Sequence, residues 1–171
     1  MFPCERVDLS FIDADSVKGR YLFRNSVDLA ITPEQLFEVF ADAESWPRWV
    51  PAIAKVTWTT PEPHGVGTTR TVDMRGGMVG KEEFLAWEPF TRIAFRFNEC
   101  STRALATVAE DYRVEVIPGG CRLTWTMAQK AAGPGRLVMP VVGPVFNLVL
   151  RWFLRNLRSY TDARFAATQQ P

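Results

Sequence analysis

Glu110 stands among apolar residues. Between Leu105 and Val116 the chain reads as one long strand. On its two-residue repeat Ala106, Val108, Tyr112, Val114 and Val116 share the face that carries Glu110. A carboxylate on such a face loses hydration, so its pKa rises. It can then serve as an acid, a base or a polar anchor for a ligand. The competing readings are an ion pair with an arginine, or a strand end that reaches water. Arg70 shares parity with Val72 and Met74 in the segment Thr68–Met74. It can meet Glu110 or a ligand carboxylate inside a cavity, and its rival position is an exposed strand end. Tyr112 adds a hydroxyl to the same wall, for chemistry or to bond a carbonyl while filling core. Acid–base catalysis needs two convergent polar groups at one reacting carbon, here Glu110 with Arg70 or Tyr112. Asn25, between Phe23 and Val27, offers an amide to a ligand, or is satisfied by protein or water.

Other chemistries find no support. His64, the single histidine, sits in Pro61-Glu62-Pro63-His64-Gly65-Val66-Gly67, which predicts a surface loop. No Ser or Cys motif recruits it to a triad. Cys4, Cys100 and Cys121 have no metal-ligand spacing, and an odd count reads as free thiols in a reducing, cytoplasmic compartment. Gly76-Gly77-Met78-Val79-Gly80 lacks the spacing of a phosphate or dinucleotide loop, so neither metal nor cofactor is expected. A net charge of +1 gives no signature for nucleic acid. Glu5, Asp8, Asp13 and Asp15 argue against a secretory signal at the N-terminus. Six Trp and twelve Phe in 171 residues furnish either a large single core or an aromatic-lined cavity.

Alternation and turn residues predict strands over Tyr21–Leu29, Ile53–Thr60, Thr68–Met74, Val79–Trp87, Arg92–Asn98, Leu105–Val116 and Cys121–Lys130. Thr32-Pro33-Glu34-Gln35 is a helix start, with Thr as N-cap and Gln three residues later. Trp46 and Trp49 bracket Pro47-Arg48 in a second short helix, either gating a cavity or pinning the helix to the sheet. After Ala131-Ala132-Gly133-Pro134-Gly135 an amphipathic run extends from Leu137 to Ala167, apolar around most of its circumference. Its polar stripe is Asn147, Arg151, Arg155 and Arg158. Pro140 and Pro144 predict a regular helix only from near Val145. The uncharged stretch Leu137–Leu150 reads as too short and too broken to span a bilayer. Arginines outnumber the lone acid, Asp162, in this segment. The helix therefore suits contact with an anionic membrane surface or a homodimer.

The order of strand, two short helices, six strands and long helix resembles the helix-grip superfamily. That group includes START domains, the plant pollen-allergen group and the bacterial polyketide cyclase/dehydrase and lipid-transport-like (SRPBCC) proteins. The resemblance is carried by Ile31-Thr32-Pro33-Glu34-Gln35-Leu36-Phe37, Trp46-Pro47-Arg48-Trp49 with Pro51, and Gly65-Val66-Gly67-Thr68. It continues in Trp87-Glu88-Pro89-Phe90-Thr91-Arg92-Ile93-Ala94-Phe95 and Arg155-Asn156-Leu157. It implies an α+β helix-grip fold: a seven-stranded antiparallel sheet wrapped around a long C-terminal helix, with two short helices after the first strand. Residues 1–19 would be an extension and 20–168 the ligand-binding domain.

The implied function is binding of a hydrophobic small molecule of lipid, isoprenoid or polyketide type. The alternatives are a polyketide cyclase/dehydratase-like enzyme using the same cavity, and an interaction module or quinone-chaperone-like protein. Alternation assigns the walls to Phe23, Val27, Val72, Phe95, Val108, Tyr112, Trp125 and Met127 from the strands and Val145, Val149 and Trp152 from the helix. Asn25 and Glu110 are the expected polar features.

Overall fold

The computed structural model describes residues 1–133 and 135–166. The chain begins with a two-residue strand, β1 (Phe2–Pro3), and a single helical turn, α1 (Ser10–Asp13). Then come β2 (Arg20–Leu29), α2 (Pro33–Ala41), α3 (Trp46–Trp49), β3 (Ile53–Trp58), β4 (Thr69–Met74) and β5 (Val79–Glu88). The order closes with β6 (Arg92–Cys100), β7 (Leu105–Ile117), β8 (Gly120–Ala131) and α4 (Gly135–Phe165).

The capping box forms as its residue types require. The Gln35 N–H donates to Thr32 Oγ1, and the Thr32 N–H donates to Gln35 Oε1. Trp46 and Trp49 of α3 are buried, and the Trp46 indole donates to the Phe40 carbonyl at 3.0 Å. That contact pins α3 between α2 and the sheet.

The strands form one antiparallel sheet in the order β2-β8-β7-β6-β5-β4-β3, with β1 added beside β6. A loop over 59–68 between β3 and β4 and short turns from β4 onward make β3 to β8 a meander. β2 crosses over to pair with β8 along its whole length, from Arg20↔Lys130 to Leu29↔Cys121. The sheet curls around α4, as a helix-grip fold requires. Residues 1–19 lie against this sheet: Phe11 and Ile12 of α1 bury against Ala109 and Ala128. The Arg20 guanidinium holds the turn by donating to the Phe11 and Ala14 carbonyls.

Leu150, Phe153, Leu154 and Leu157 of α4 sink into the core, and the helix packs chiefly along β2. One expectation is corrected here: the helix does not wait for Val145. Pro140 and Pro144 lie inside a continuous helix, on its exposed side. Each lacks an N–H for the carbonyl four residues before it, and water can replace the missing donor there. Pro134, Ala167 and the expected domain end at Thr168 lie outside the described residues.

Candidate functional site: a cavity with a charged floor

Between the concave sheet, α3 and the first half of α4 lies a cavity of about 520 Å³. Its walls are apolar. Val72, Phe95, Phe97, Val108 and Met127 come from the strands, and Met139, Val142, Val145, Phe146 and Val149 from α4. Strand alternation points every second side chain of β4, β6, β7 and β8 inward, so the sheet supplies a continuous apolar surface.

The charged groups come from β4, β5 and β7, with β6 lying between β5 and β7. Arg70 and Glu82 face each other across the β4–β5 ladder, and the Arg70 Nε donates to Glu82 Oε2 at 2.5 Å. Both side chains are buried. The guanidinium sits in an aromatic box, 4.1 Å from the Trp46 ring centroid, 4.5 Å from Phe95 and 5.1 Å from Phe84. These ring faces offset part of the desolvation of a buried cation. Its Nη1 is buried and has no hydrogen-bond partner among the described residues. Such an atom calls for an acceptor, and Arg70 is among the residues that line the cavity.

Glu110 projects into the same cavity. Its Oε2 accepts from the Tyr112 hydroxyl at 2.7 Å and from the Trp125 indole at 2.9 Å. Tyr112 and Trp125 are directly opposed in the β7–β8 ladder and their rings stack. Burial pushes the Glu110 carboxyl up to about 7. The Glu82 charge adds to this, while the two donors and Arg70 oppose it. Burial also raises Glu82, against the pull of Arg70, and raises Tyr112 well above an ordinary phenol. Near neutrality Glu110 can therefore give or take a proton beside a fixed cation. A ligand oxygen that reached Arg70 would be polarised, and Glu110, which lines the same cavity, could act on an adjacent carbon or oxygen.

The predicted wall residues divide. Val72, Phe95, Val108, Tyr112, Trp125, Met127, Val145 and Val149 line the cavity with Arg70 and Glu110. Four others do not. Phe23 packs edge-on to Phe146 and faces a separate groove with Met139 and Pro140. Asn25 donates to Asn147 Oδ1 and accepts from Arg151 Nε, both at 2.8 Å, and shares a shallow surface pocket with Val27. Their parity is inward, but α4 rests directly on β2 and fills the space they would have faced. Trp152 lies opposite the helix face that holds Leu150, Phe153 and Leu154, and is 48% exposed.

Two rival readings also fall. Arg70 is no exposed strand end, and its bonded partner is Glu82 rather than Glu110. His64 is not a surface side chain. Its loop folds back so that the imidazole stacks on Trp58 at 4.0 Å with only 5% of the side chain exposed. Burial lowers its pKa. Glu82 is the residue that sequence reasoning missed. Its signal was present, because it shares parity with Gly80, Phe84 and Ala86, all buried. Among the described residues no three His, Cys, Asp or Glu side chains gather to hold a metal.

The model of the polyketide cyclase / dehydrase and lipid transport family matches residues 21–162. The chain belongs to this family. Its relatives include an uncharacterized protein of Mycobacterium tuberculosis and one of Mycobacterium bovis. Each is 71% identical over 170 residues, covering 99% of this chain and 99% of the relative. The fold is shared with the Zhui aromatase/cyclase from a Streptomyces species at a TM-score of 0.74 and 14% identity. That match covers 89% of this chain and 99% of the other. A START superfamily protein from Mycobacterium smegmatis matches at a TM-score of 0.64 and 14% identity, over 86% and 99%. At such identities the likeness is one of fold, and the family's α+β helix-grip architecture is what this chain shares with them.

Proposed function

We propose that the protein binds a hydrophobic small molecule of lipid, isoprenoid or polyketide type, its apolar body against the cavity wall and one oxygen at Arg70. The observation that carries this reading is the apolar cavity of about 520 Å³ with Arg70, whose buried Nη1 has no hydrogen-bond partner among the described residues, in its lining. A volume in this range suits a drug-sized or lipid-sized ligand. Each buried methylene contributes about 0.8 kcal/mol, so a chain of about ten carbons offsets the ordering cost without a charged contact.

An enzymatic reading has its own support in Glu110, whose carboxyl is pushed up to about 7 beside the Arg70–Glu82 pair. In a cyclase or dehydratase Arg70 would hold a carbonyl oxygen and Glu110 would move the proton. The aromatase/cyclase neighbour shares this fold and lends the reading its context. An interaction module would need no cavity at all. The buried free thiols suit a reducing cytoplasm. Outside the cavity, the exposed face of α4 leaves a membrane surface or a second copy as partner.

Native mass spectrometry of protein purified from its own host, with extraction of the bound molecule, tests the binding reading. A reproducible apolar ligand bearing an oxygen acceptor is expected, retained more weakly by Arg70→Met. Wild-type protein that never carries or takes up such a molecule would overturn it. For the enzymatic reading, equal turnover of a polyketide-like substrate by wild type and Glu110→Gln would remove the proton-transfer role.

A further inference from the structure

The first half of α4 wears its apolar residues on the outside. Leu137, Val138, Val141, Val145, Leu148 and Trp152 are all between 48% and 83% exposed. Spacings of four, four, three and four carry Leu137, Val141, Val145, Leu148 and Trp152 along one face. At 1.5 Å per residue that stripe is about 22 Å long. It is a contiguous strip, unlike the scattered apolar side chains of an ordinary surface.

Charge says what covers it. The stripe has cations at both ends. At one end Arg136 shares a groove with Lys18 and Lys130, of which Lys130 also meets Glu5 at 3.1 Å. At the other end Arg151 and Arg155 are exposed. No acid occurs in α4 before Asp162. A second copy related by a two-fold axis would pair antiparallel, or parallel where the axis runs along the helices. Either way arginines of one α4 would meet arginines of the other, with no α4 carboxylate before Asp162 to pair them. A surface of anionic lipid meets both features at once, taking the apolar side chains among its acyl chains and the cations at its headgroups.

We propose that this face of α4 docks on an anionic lipid bilayer, with the helix lying in the interface. Leu150, Phe153, Leu154 and Leu157 keep the opposite face in the protein core, so the helix lies on the membrane although it is long and apolar enough to cross one. The docking site backs onto the cavity. Val142 and Val145 line it while remaining 40% and 58% exposed, so its wall and the membrane face are two sides of the same turns. Pro140 and Pro144 remove helix hydrogen bonds in this stretch, which makes it the easiest part of α4 to displace.

The test is flotation of the full chain with vesicles of phosphatidylcholine alone, or of phosphatidylcholine and phosphatidylglycerol in equal parts. Binding is expected only to the anionic vesicles and should weaken with salt. Lys18→Gln and Arg136→Gln should each lower partitioning about five-fold. The double change Val141→Ser with Leu148→Ser should lower it about ten-fold or more while circular dichroism stays unchanged. Equal binding to both vesicle types, or full binding by the Val141/Leu148 variant, would overturn the proposal. So would a dimer that this variant dissolves, since a second copy would then cover the stripe. Protein that resists alkaline extraction would also overturn it, in favour of a spanning helix. A cavity-filling Val108→Phe variant should float as wild type does, which separates failure of docking from failure of the binding reading.

Discussion

A buried carboxyl that is half-protonated near neutrality leaves a mark on stability. The Glu110 carboxyl is raised from its ordinary value of 4.5 to about 7. Between those two values the folded protein holds a proton that the unfolded chain has released. Stability therefore falls as pH rises from 4.5 through about 7, and the contribution is flat above that. The shift corresponds to about 3–4 kcal/mol at most, since each unit is worth about 1.4 kcal/mol. Glu110→Gln keeps an acceptor for Tyr112 and Trp125 and cannot ionise. Urea unfolding at both ends of this pH range should show a smaller pH dependence in the variant than in wild type. An equal pH dependence would place the titrating group elsewhere, with Glu82, also raised by burial, the first candidate. Arg70 and Glu82 answer to a different logic. Their close contact within an aromatic box compensates two desolvated charges but leaves one guanidinium nitrogen without a hydrogen-bond partner among the described residues.

The two halves of α4 do different work. Leu157 is fully buried against the core, whereas Leu148 is 61% exposed. Leu157→Ala should cost about 2–5 kcal/mol in chemical unfolding. Leu148→Ala should stay within about 0.5 kcal/mol. Comparable losses at both positions would mean that the outer stripe is covered in solution. The first strand shows the same division from the other side. Asn25 clasps Asn147 and Arg151, fixing β2 to the middle of the helix. Another side of these same turns, with Val142, Phe146, Val149 and Phe153, faces the cavity. The anchored side of the helix thus positions the side that roofs the cavity.

At the scale of the molecule the essential quantity is the space left between sheet and helix. Val108 of β7 is buried and lines that space. Val108→Phe should fit into the cavity with a change in melting temperature of a few degrees and lower ligand retention more than ten-fold in native mass spectrometry. Retention equal to wild type would place the ligand outside the cavity.

Much of this arrangement was legible beforehand. The alternation of β7 put Glu110 inward, the Thr32 and Gln35 types determined a capping box, and turn residues set the meander of strands. Each of these is local, decided by two-residue periodicity or by hydrogen bonds within one turn. The tertiary structure decided what local pattern does not contain. It chose Glu82 as the partner of Arg70, through a strand register that a single strand does not encode. It carried α4 through two prolines and turned Trp152 outward, because a helix apolar all round does not say which face will be buried. Above all it separated inward residues that touch the helix, such as Asn25 and Val27, from inward residues that face empty space, such as Val72 and Val108. Sequence parity gives a side chain its direction, but the volume it meets depends on how far a curved sheet stands from the helix it grips.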